Sequence, residues 1–238
     1  MAAPRLALPF IQAAGVRHAA EAAMLARAGF THLGFPLRLP VHAPDLGEAE
    51  AREVIAGLAP GVEAVLITYL ADPAEILELC DYLGAGWVQL HGDLEPGAAA
   101  ALRSARPGLG LIKSLVVGRG RDAGLLPLAR AFAPHVDAFI TDSFDPASGA
   151  CGATGRIHDW DVSRMLAEQA GRPLILAGGL TPDNLEAAVA AMRPARLAGV
   201  DAHTGLEAPD GSKDPELCRR FAALARTLLA GTRLDFPG

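Results

Sequence analysis

The chain has 238 residues, 51% of them hydrophobic, which is enough apolar material for one large core and excludes disorder as the main state. Its 21 Lys and Arg against 27 Asp and Glu give a net charge of −6, and no basic run is interleaved with aromatics, so nucleic acid is not an expected partner. No stretch reaches the ~18–20 uninterrupted apolar residues of a membrane span, and the three cysteines, Cys80, Cys151 and Cys218, lack CxxC or Cys/His spacing, which points to a reducing, cytoplasmic setting without a disulfide framework or structural zinc.

The apolar start, residues 6–16, contains Pro9 and Gln12 with only Arg5 ahead of it, and reads as a buried first strand rather than a secretory leader. From there short apolar runs alternate with longer Ala/Leu/Glu/Arg segments at helical period. In chain order the pattern predicts a strand over 8–13, a helix over 18–28, a strand over 32–36, a helix over 48–58, a strand over 63–68 and a helix over 73–83. It continues with a strand over 87–91, a helix over 97–104, a strand over 109–114 and a helix over 123–132. The last three pairs are a strand over 138–142 with a helix over 161–170, a strand over 174–177 with a helix over 182–192, and a strand over 197–201 with a helix over 214–230.

Most of these strands are nearly all apolar, as parallel strands covered on both faces should be. Right-handed crossovers between them give either an open doubly wound sheet or a closed barrel. Eight regular units in 238 residues favour an α/β fold of one domain, a single (β/α)8 TIM barrel, which typically needs ~250 residues. The 26 Gly and 18 Pro are spread through the predicted loops as turn chemistry, and no linker divides the chain.

In such a barrel the chemistry sits at the C-terminal ends of the strands, and five places there carry polar residues. Gly178 and Gly179 follow a strand and precede Thr181-Pro182, a helix start with Thr181 as cap. Backbone free of side chains at that point lets amides reach an anion. The next loop, with His203, Thr204 and Gly205, repeats the arrangement after the eighth strand, and the two together suggest a phosphate site. Asp142 ends its strand facing the barrel mouth, where a desolvated carboxyl can act as general acid; the alternative is a loop-capping Asp bound to backbone amides. The glycine-rich segment 148–155 reads as a lid carrying Cys151, whose reactivity would need a depressed thiol pKa. His91 and His203 end strands and are candidate donors or proton shuttles, whereas His18, His32, His42, His135 and His158 read as surface or packing residues. Lys113 near the end of strand five is the one candidate for a Schiff base, against an outward-pointing or purely electrostatic role. There is no HxH, HExxH or carboxylate cluster, so neither a metal nor another cofactor is expected.

Taken in order, these motifs resemble the phosphoribosylanthranilate isomerase family. Gln89-Leu90-His91-Gly92-Asp93 is similar to its QLHGDE, Gly152 through Trp160 to its GGTGxxFDW, and Ala177 through Asn184 to its LAGGLxxxN. Gly199 through Glu207 is similar to its GVDxSSGxE, and Gly211, Lys213 and Asp214 complete a GxKD. The resemblance implies an Amadori rearrangement of a phosphoribosylamine in which an acid opens the furanose and a base removes the proton at sugar C2. It assigns the acid to Asp142, phosphate binding to Gly178, Gly179, Thr204 and Gly205, and a place near the sugar hydroxyls to Asp201. Gln89, Lys113 and His203 are further candidate substrate contacts.

Two features depart from the family pattern. Its strand-one KxCG motif falls on Gln12-Ala13-Ala14-Gly15, so Ala14 stands where the family has its cysteine base. No arginine lies within 39–44, where the family's SPR-like segment holds the substrate carboxylate; Arg38 and His42 are nearby. Cys151, His91 or His203 are the candidates to replace the base. The expectation is an isomerase acting on a phosphorylated small molecule, as monomer or homodimer. A lyase, aldolase or epimerase on another phosphosugar, or a non-catalytic phosphate-ligand binder, are the alternatives, since fold alone does not establish activity.

Overall fold

The computed structural model describes residues 6, 9–40, 45–118, 122–143, 159–195 and 197–230. Its strands are β1 (Phe10–Ala14), β2 (His32–Pro36), β3 (Glu63–Thr68), β4 (Trp87–Leu90), β5 (Gly110–Val117), β6 (Ala138–Ser143), β7 (Leu174–Leu176) and β8 (Leu197–Ala202). The helices are α1 (Ala19–Ala28), α2 (Glu48–Ala56), α3 (Pro73–Leu83), α4 (Pro96–Ala105), α5 (Asp122–Phe132), α6 (Trp160–Gln169), α7 (Leu185–Ala191) and α8 (Pro215–Leu228), with a short 3-10 turn, η1 (Thr204–Leu206), after β8. All neighbouring strands run parallel and β8 pairs with β1, so the sheet closes in chain order. This is the (β/α)8 barrel expected from the sequence. Among the described residues no helix is long and apolar enough to cross a membrane.

Half of the helices begin where a side chain accepts from their first amides. Asp72 accepts from Ala74 N at 2.7 Å ahead of Pro73, and Asp214 accepts from Glu216 N and Leu217 N at 2.8 and 2.9 Å ahead of Pro215, the Pro occupying a position that has no amide partner to lose. His18 performs the same task for α1, its Nδ1 accepting from Glu21 N at 3.1 Å. Helix α7 starts later than its sequence suggests. Thr181 Oγ1 accepts from both Asp183 N and Asn184 N, and Asn184 Oδ1 accepts from Thr181 N at 2.8 Å, so 181–184 closes as a turn and the helix begins at Leu185.

Two apolar layers follow from strand alternation. One set of strand residues packs with the helices, including Leu33, Leu66, Val88, Leu111, Phe139 and Val200. The other fills the barrel interior, with Phe10, Val65, Trp87, Ile112, Ile140 and Ile175. Glycine makes room for the largest of these. A methyl on Gly110, registered beside Trp87, would fall 2.1 Å from its ring, and one on Gly199, registered beside Phe10, would fall 1.9 Å from the Phe10 carbonyl. His32 completes the floor, stacked on Phe10 with ring centroids 3.6 Å apart and edge-on to Trp87. Burial lowers its pKa to about 3, so it is a neutral core residue.

Candidate active site

The same alternation that buries the floor brings polar residues to the mouth. Along β6, Ala138 and Ile140 face the interior, so Asp142 does too, one pleat nearer the C-terminal end. It is 9% exposed, and its Oδ1 accepts the Ser143 amide at 2.8 Å. Burial raises its carboxyl to about 7, with the Ser143 N–H acting in the opposite direction and the charge of Asp201 adding to the rise. Asp201, also buried, is raised by desolvation to about 6, against the lowering effects of a hydrogen bond from Gln12 and the charges of His203 and Lys213. Two carboxyls whose ionisation is displaced into the neutral range therefore share one mouth, an arrangement suited to proton transfer.

Beside them runs a chain of polar side chains. Gln12 Nε2 donates to Gln89 Oε1 at 3.2 Å, Gln89 Nε2 donates to Ser114 Oγ at 3.1 Å, and Ser114 Oγ lies 2.8 Å from His91 Nδ1. The His91 ring also packs edge-on against Tyr69 at 4.6 Å. Two buried oxygens of this layer, Gln12 Oε1 and Asp201 Oδ1, have no donor from the protein. Such acceptors are costly to bury unmatched, and they suit a ligand rich in hydroxyl donors.

At the rim, β8 and β1 meet. Gln12 is registered with Asp201 and Ala13 with Ala202, which sets His203 beside the Ala14-Gly15 end of β1. A methyl on Gly15 would fall 2.3 Å from His203 Nε2 and 2.8 Å from its Cε1, so the imidazole edge rests against this turn, and Gly15, at φ 77°, leaves it space. His203 Nε2 lies 3.2 Å from Glu207 Oε1, which also accepts from Lys213 Nζ at 2.9 Å. Lys213 Nζ donates in addition to the His203 carbonyl at 3.1 Å. Burial alone would raise Glu207, but the hydrogen bonds and charges of His203 and Lys213 outweigh it and lower the carboxyl to about 2.

The two glycine loops lie against each other. Gly178 and Gly179 have φ of 91° and 66°, a backbone conformation that side chains resist. Asn184 Nδ2 ties down the Gly179 carbonyl at 2.8 Å. A methyl on Gly205 would fall 1.9 Å from the Leu180 carbonyl, so only glycine allows the loop after β8 to seat on the loop after β7.

Residues 39–223 match the sequence profile of N-(5'-phosphoribosyl)anthranilate (PRA) isomerase. The chain belongs to this family. It is 34% identical over 206 residues to N-(5'-phosphoribosyl)anthranilate isomerase 2 of Methanosarcina mazei, covering 86% of this chain and 88% of that one. It is 35% identical over 218 residues to N-(5'-phosphoribosyl)anthranilate isomerase of Haloferax volcanii, covering 91% and 93%. The crystal structure of phosphoribosyl anthranilate isomerase from Thermotoga maritima superposes with a TM-score of 0.74 at 25% identity over 91% of this chain and 98% of that one.

Within this PRA isomerase barrel the structure brings Asp142, Asp201, Gln89, His91 and His203 to one mouth, with Gly178, Gly179, Thr204 and Gly205 in the adjoining loops. Lys113 is the correction. Its β5 neighbour Ile112 faces the interior and Ser114 joins the polar chain there, so Lys113 points the other way. Its Nζ donates to the carbonyls of Leu90 and Gly92 at 3.1 and 2.9 Å and sits over the Phe132 ring. A lysine held by backbone carbonyls outside the mouth is not placed to form a Schiff base or to hold substrate. Cys151 and the whole of the expected lid, 148–155, lie outside the described residues. Cys80 and Cys218 are buried, and desolvation pushes each thiol up to about 12, so neither is a thiolate base. Ala14, at the position of the family's cysteine, is 5% exposed and belongs to the interior layer. Arg38 is committed to a two-pronged pair with Glu48 at 2.8 and 3.3 Å; His42 lies outside the described residues. Gln12, Ser114, Glu207 and Lys213 join this network although the sequence alone assigns them no role; strand parity marks the first two.

Proposed function

We propose that this barrel isomerises phosphoribosylanthranilate or a close phosphoribosylamine, an intramolecular aldose-to-ketose rearrangement. The observation that carries the reading is Asp142, a mouth-facing carboxyl held near neutrality by burial, because ring opening needs an acid that still has its proton at neutral pH. Asp142 gives that proton to the furanose oxygen as the C1–O bond breaks and the nitrogen lone pair forms C1=N. A base then takes the C2 proton, the C2–H electrons form C1=C2, and the C1=N pair returns to nitrogen. The enol at C2 becomes the ketone as C1 gains the proton held by the base and the C2 hydroxyl loses its own, which restores the acid form of Asp142. C1 ends reduced and C2 oxidised, with no external electron carrier.

The orphan oxygens Gln12 Oε1 and Asp201 Oδ1 support recognition of the sugar hydroxyls. Gln89 and His91, through Ser114, hold the Gln12 amide. The left-handed glycines 178 and 179 with Thr204 and Gly205 form the phosphate cradle. The enzyme works in the cytoplasm as a monomer or homodimer. The test is turnover of phosphoribosylanthranilate generated in place, followed by the loss of its fluorescence. Asp142→Asn should lower kcat by ~10²–10⁴ with KM within about threefold. Absence of wild-type turnover, or an Asp142→Asn variant as active as wild type, rejects the reading.

A further inference from the structure

We propose that His203, oriented by Glu207, is the general base that removes the C2 proton, working from the β1–β8 seam while Asp142 acts from β6. This deepens the isomerase reading and rests on it. Among the described residues around the mouth, the groups able to accept a proton are Asp142, Asp201, His91, His203 and Glu207, the last held by His203 and Lys213; Cys151 lies outside the described residues. Asp142 is the acid of the ring-opening step. His91 has its Nδ1 on Ser114 and its ring against Tyr69, which commits it to the amide chain. Asp201 is engaged by Gln12 and keeps one oxygen for a hydroxyl donor.

His203 has the geometry of a working imidazole. Glu207 Oε1 lies 3.2 Å from Nε2, and Lys213 fixes the same carboxylate at 2.9 Å while also holding the His203 carbonyl. A proton on Nε2 donated to Glu207 leaves the lone pair on Nδ1 and stabilises the imidazolium that forms when that nitrogen takes a proton. The ring is 22% exposed at its side chain, so a ligand can reach it. It lies against Gly15, next to Ala14, whose methyl leaves this end of β1 without a proton acceptor of its own. Among the described residues, the ionisable groups facing it are Glu207, Lys213 and Asp201.

The step balances simply. Nδ1 gains the C2 proton, the C2–H pair becomes the C1=C2 bond and the C1=N pair returns to nitrogen; the imidazolium then gives its proton to C1 as the enol hydroxyl loses its own, which restores the acid form of Asp142.

The experiment compares wild type, His203→Gln, His203→Ala and Asp201→Asn in the fluorescence assay, with unfolding curves to show that each is folded. The expected result is a kcat loss of ~10²–10⁴ in both His203 variants with KM within about threefold, and partial restoration of His203→Ala by added imidazole. If the alanine variant does not fold, the glutamine variant decides. Wild-type turnover with His203 variants within about threefold of it overturns the base and leaves the isomerase reading standing. A loss confined to KM, unaffected by imidazole, makes His203 a binding residue and likewise overturns the proposal. No turnover by wild type removes both the isomerase reading and this assignment.

Discussion

Replacing Asp142 by Asn should make the protein inactive and, at alkaline pH, more stable. Its carboxyl is raised from 3.8 to about 7, chiefly by burial. The folded protein therefore holds the proton more tightly than the unfolded chain. Below the unfolded pKa both states are protonated and Asp142 has no effect. As pH rises from about 4 to about 7 the unfolded chain ionises first, and stability falls by roughly 1.4 kcal/mol per pH unit from this group. Above the folded pKa the folded state carries a buried carboxylate that costs ~4 kcal/mol. Asn keeps an oxygen that can accept the Ser143 amide and removes the charge. Relative to wild type, the variant should gain only ~1 kcal/mol at pH 4.5 but ~4 kcal/mol at pH 8. For a chain of this size the opening difference of ~3 kcal/mol is a rise of roughly 6–12 °C in relative Tm. Denaturant titrations of both proteins at the two pH values read it directly, and every titration they share cancels in the difference. Parallel stability curves, or a variant less stable at pH 8, would show that Asp142 is not held out of water in the way its burial implies.

Two further expectations concern the barrel floor. His32, held at about 3 by burial, binds its proton less well folded than unfolded; the stability it allows is complete above pH ~6.5 and is lost as pH falls toward 3, by ~1.4 kcal/mol per unit. His32→Leu should therefore gain about 2–3 kcal/mol on wild type between pH 7 and pH 4.5 in denaturant titrations, whatever its offset at neutral pH, and an unchanged difference would refute a buried neutral imidazole. Gly199→Ala, whose new methyl meets the Phe10 carbonyl at 1.9 Å, should cost about 1–3 kcal/mol or more by overpacking, seen as a lower Tm, whereas Gly124→Ala on α5, where nothing lies within 4 Å, should not lower it.

The eight repeats were legible because each pairs a short apolar run with a helical stripe, several of them punctuated by a capping Asp or an opening Pro. Asp142 was legible for a simpler reason, since it follows Ile140 by one pleat. Lys113 shows how proximity to a strand end misleads. It is as close to the mouth in sequence as Ser114, yet strand parity sends it to the helix layer, where two carbonyls and an aromatic face satisfy its ammonium. His32 read as surface or packing because nothing local reveals that Phe10 and Trp87 from other strands enclose it. Helix α7 was expected three residues early because Thr181-Pro182 has the composition of a cap, while the reciprocal Thr181 and Asn184 bonds that close a turn depend on conformation. Glu207 was matched to a motif without a role, and the role appears only when His203 and Lys213 converge on one oxygen.

Strand parity also explains why the mouth can hold two displaced carboxyls without unfolding the barrel. Each step of two residues along a strand climbs one layer: Phe10 to Gln12 on β1, Trp87 to Gln89 to His91 on β4, Ile112 to Ser114 on β5, Ile140 to Asp142 on β6, Gly199 to Asp201 on β8. The floor is aromatic and aliphatic, the next step carries the amides and hydroxyl of Gln12, Gln89 and Ser114 together with the carboxyls of Asp142 and Asp201, and His91 comes one step later. The uncharged members of that layer let Asp201 be engaged by Gln12 while placing no counter-charge beside Asp142. A lysine or arginine in that layer would pull both carboxyls back to their ordinary range and remove the acid. The cost is two acceptors left without protein donors, Gln12 Oε1 and Asp201 Oδ1, each worth about 1–3 kcal/mol unmatched. Hydroxyl donors on a bound sugar would relieve that cost, so the layer that keeps Asp142 protonated is also the one that selects for a polyol.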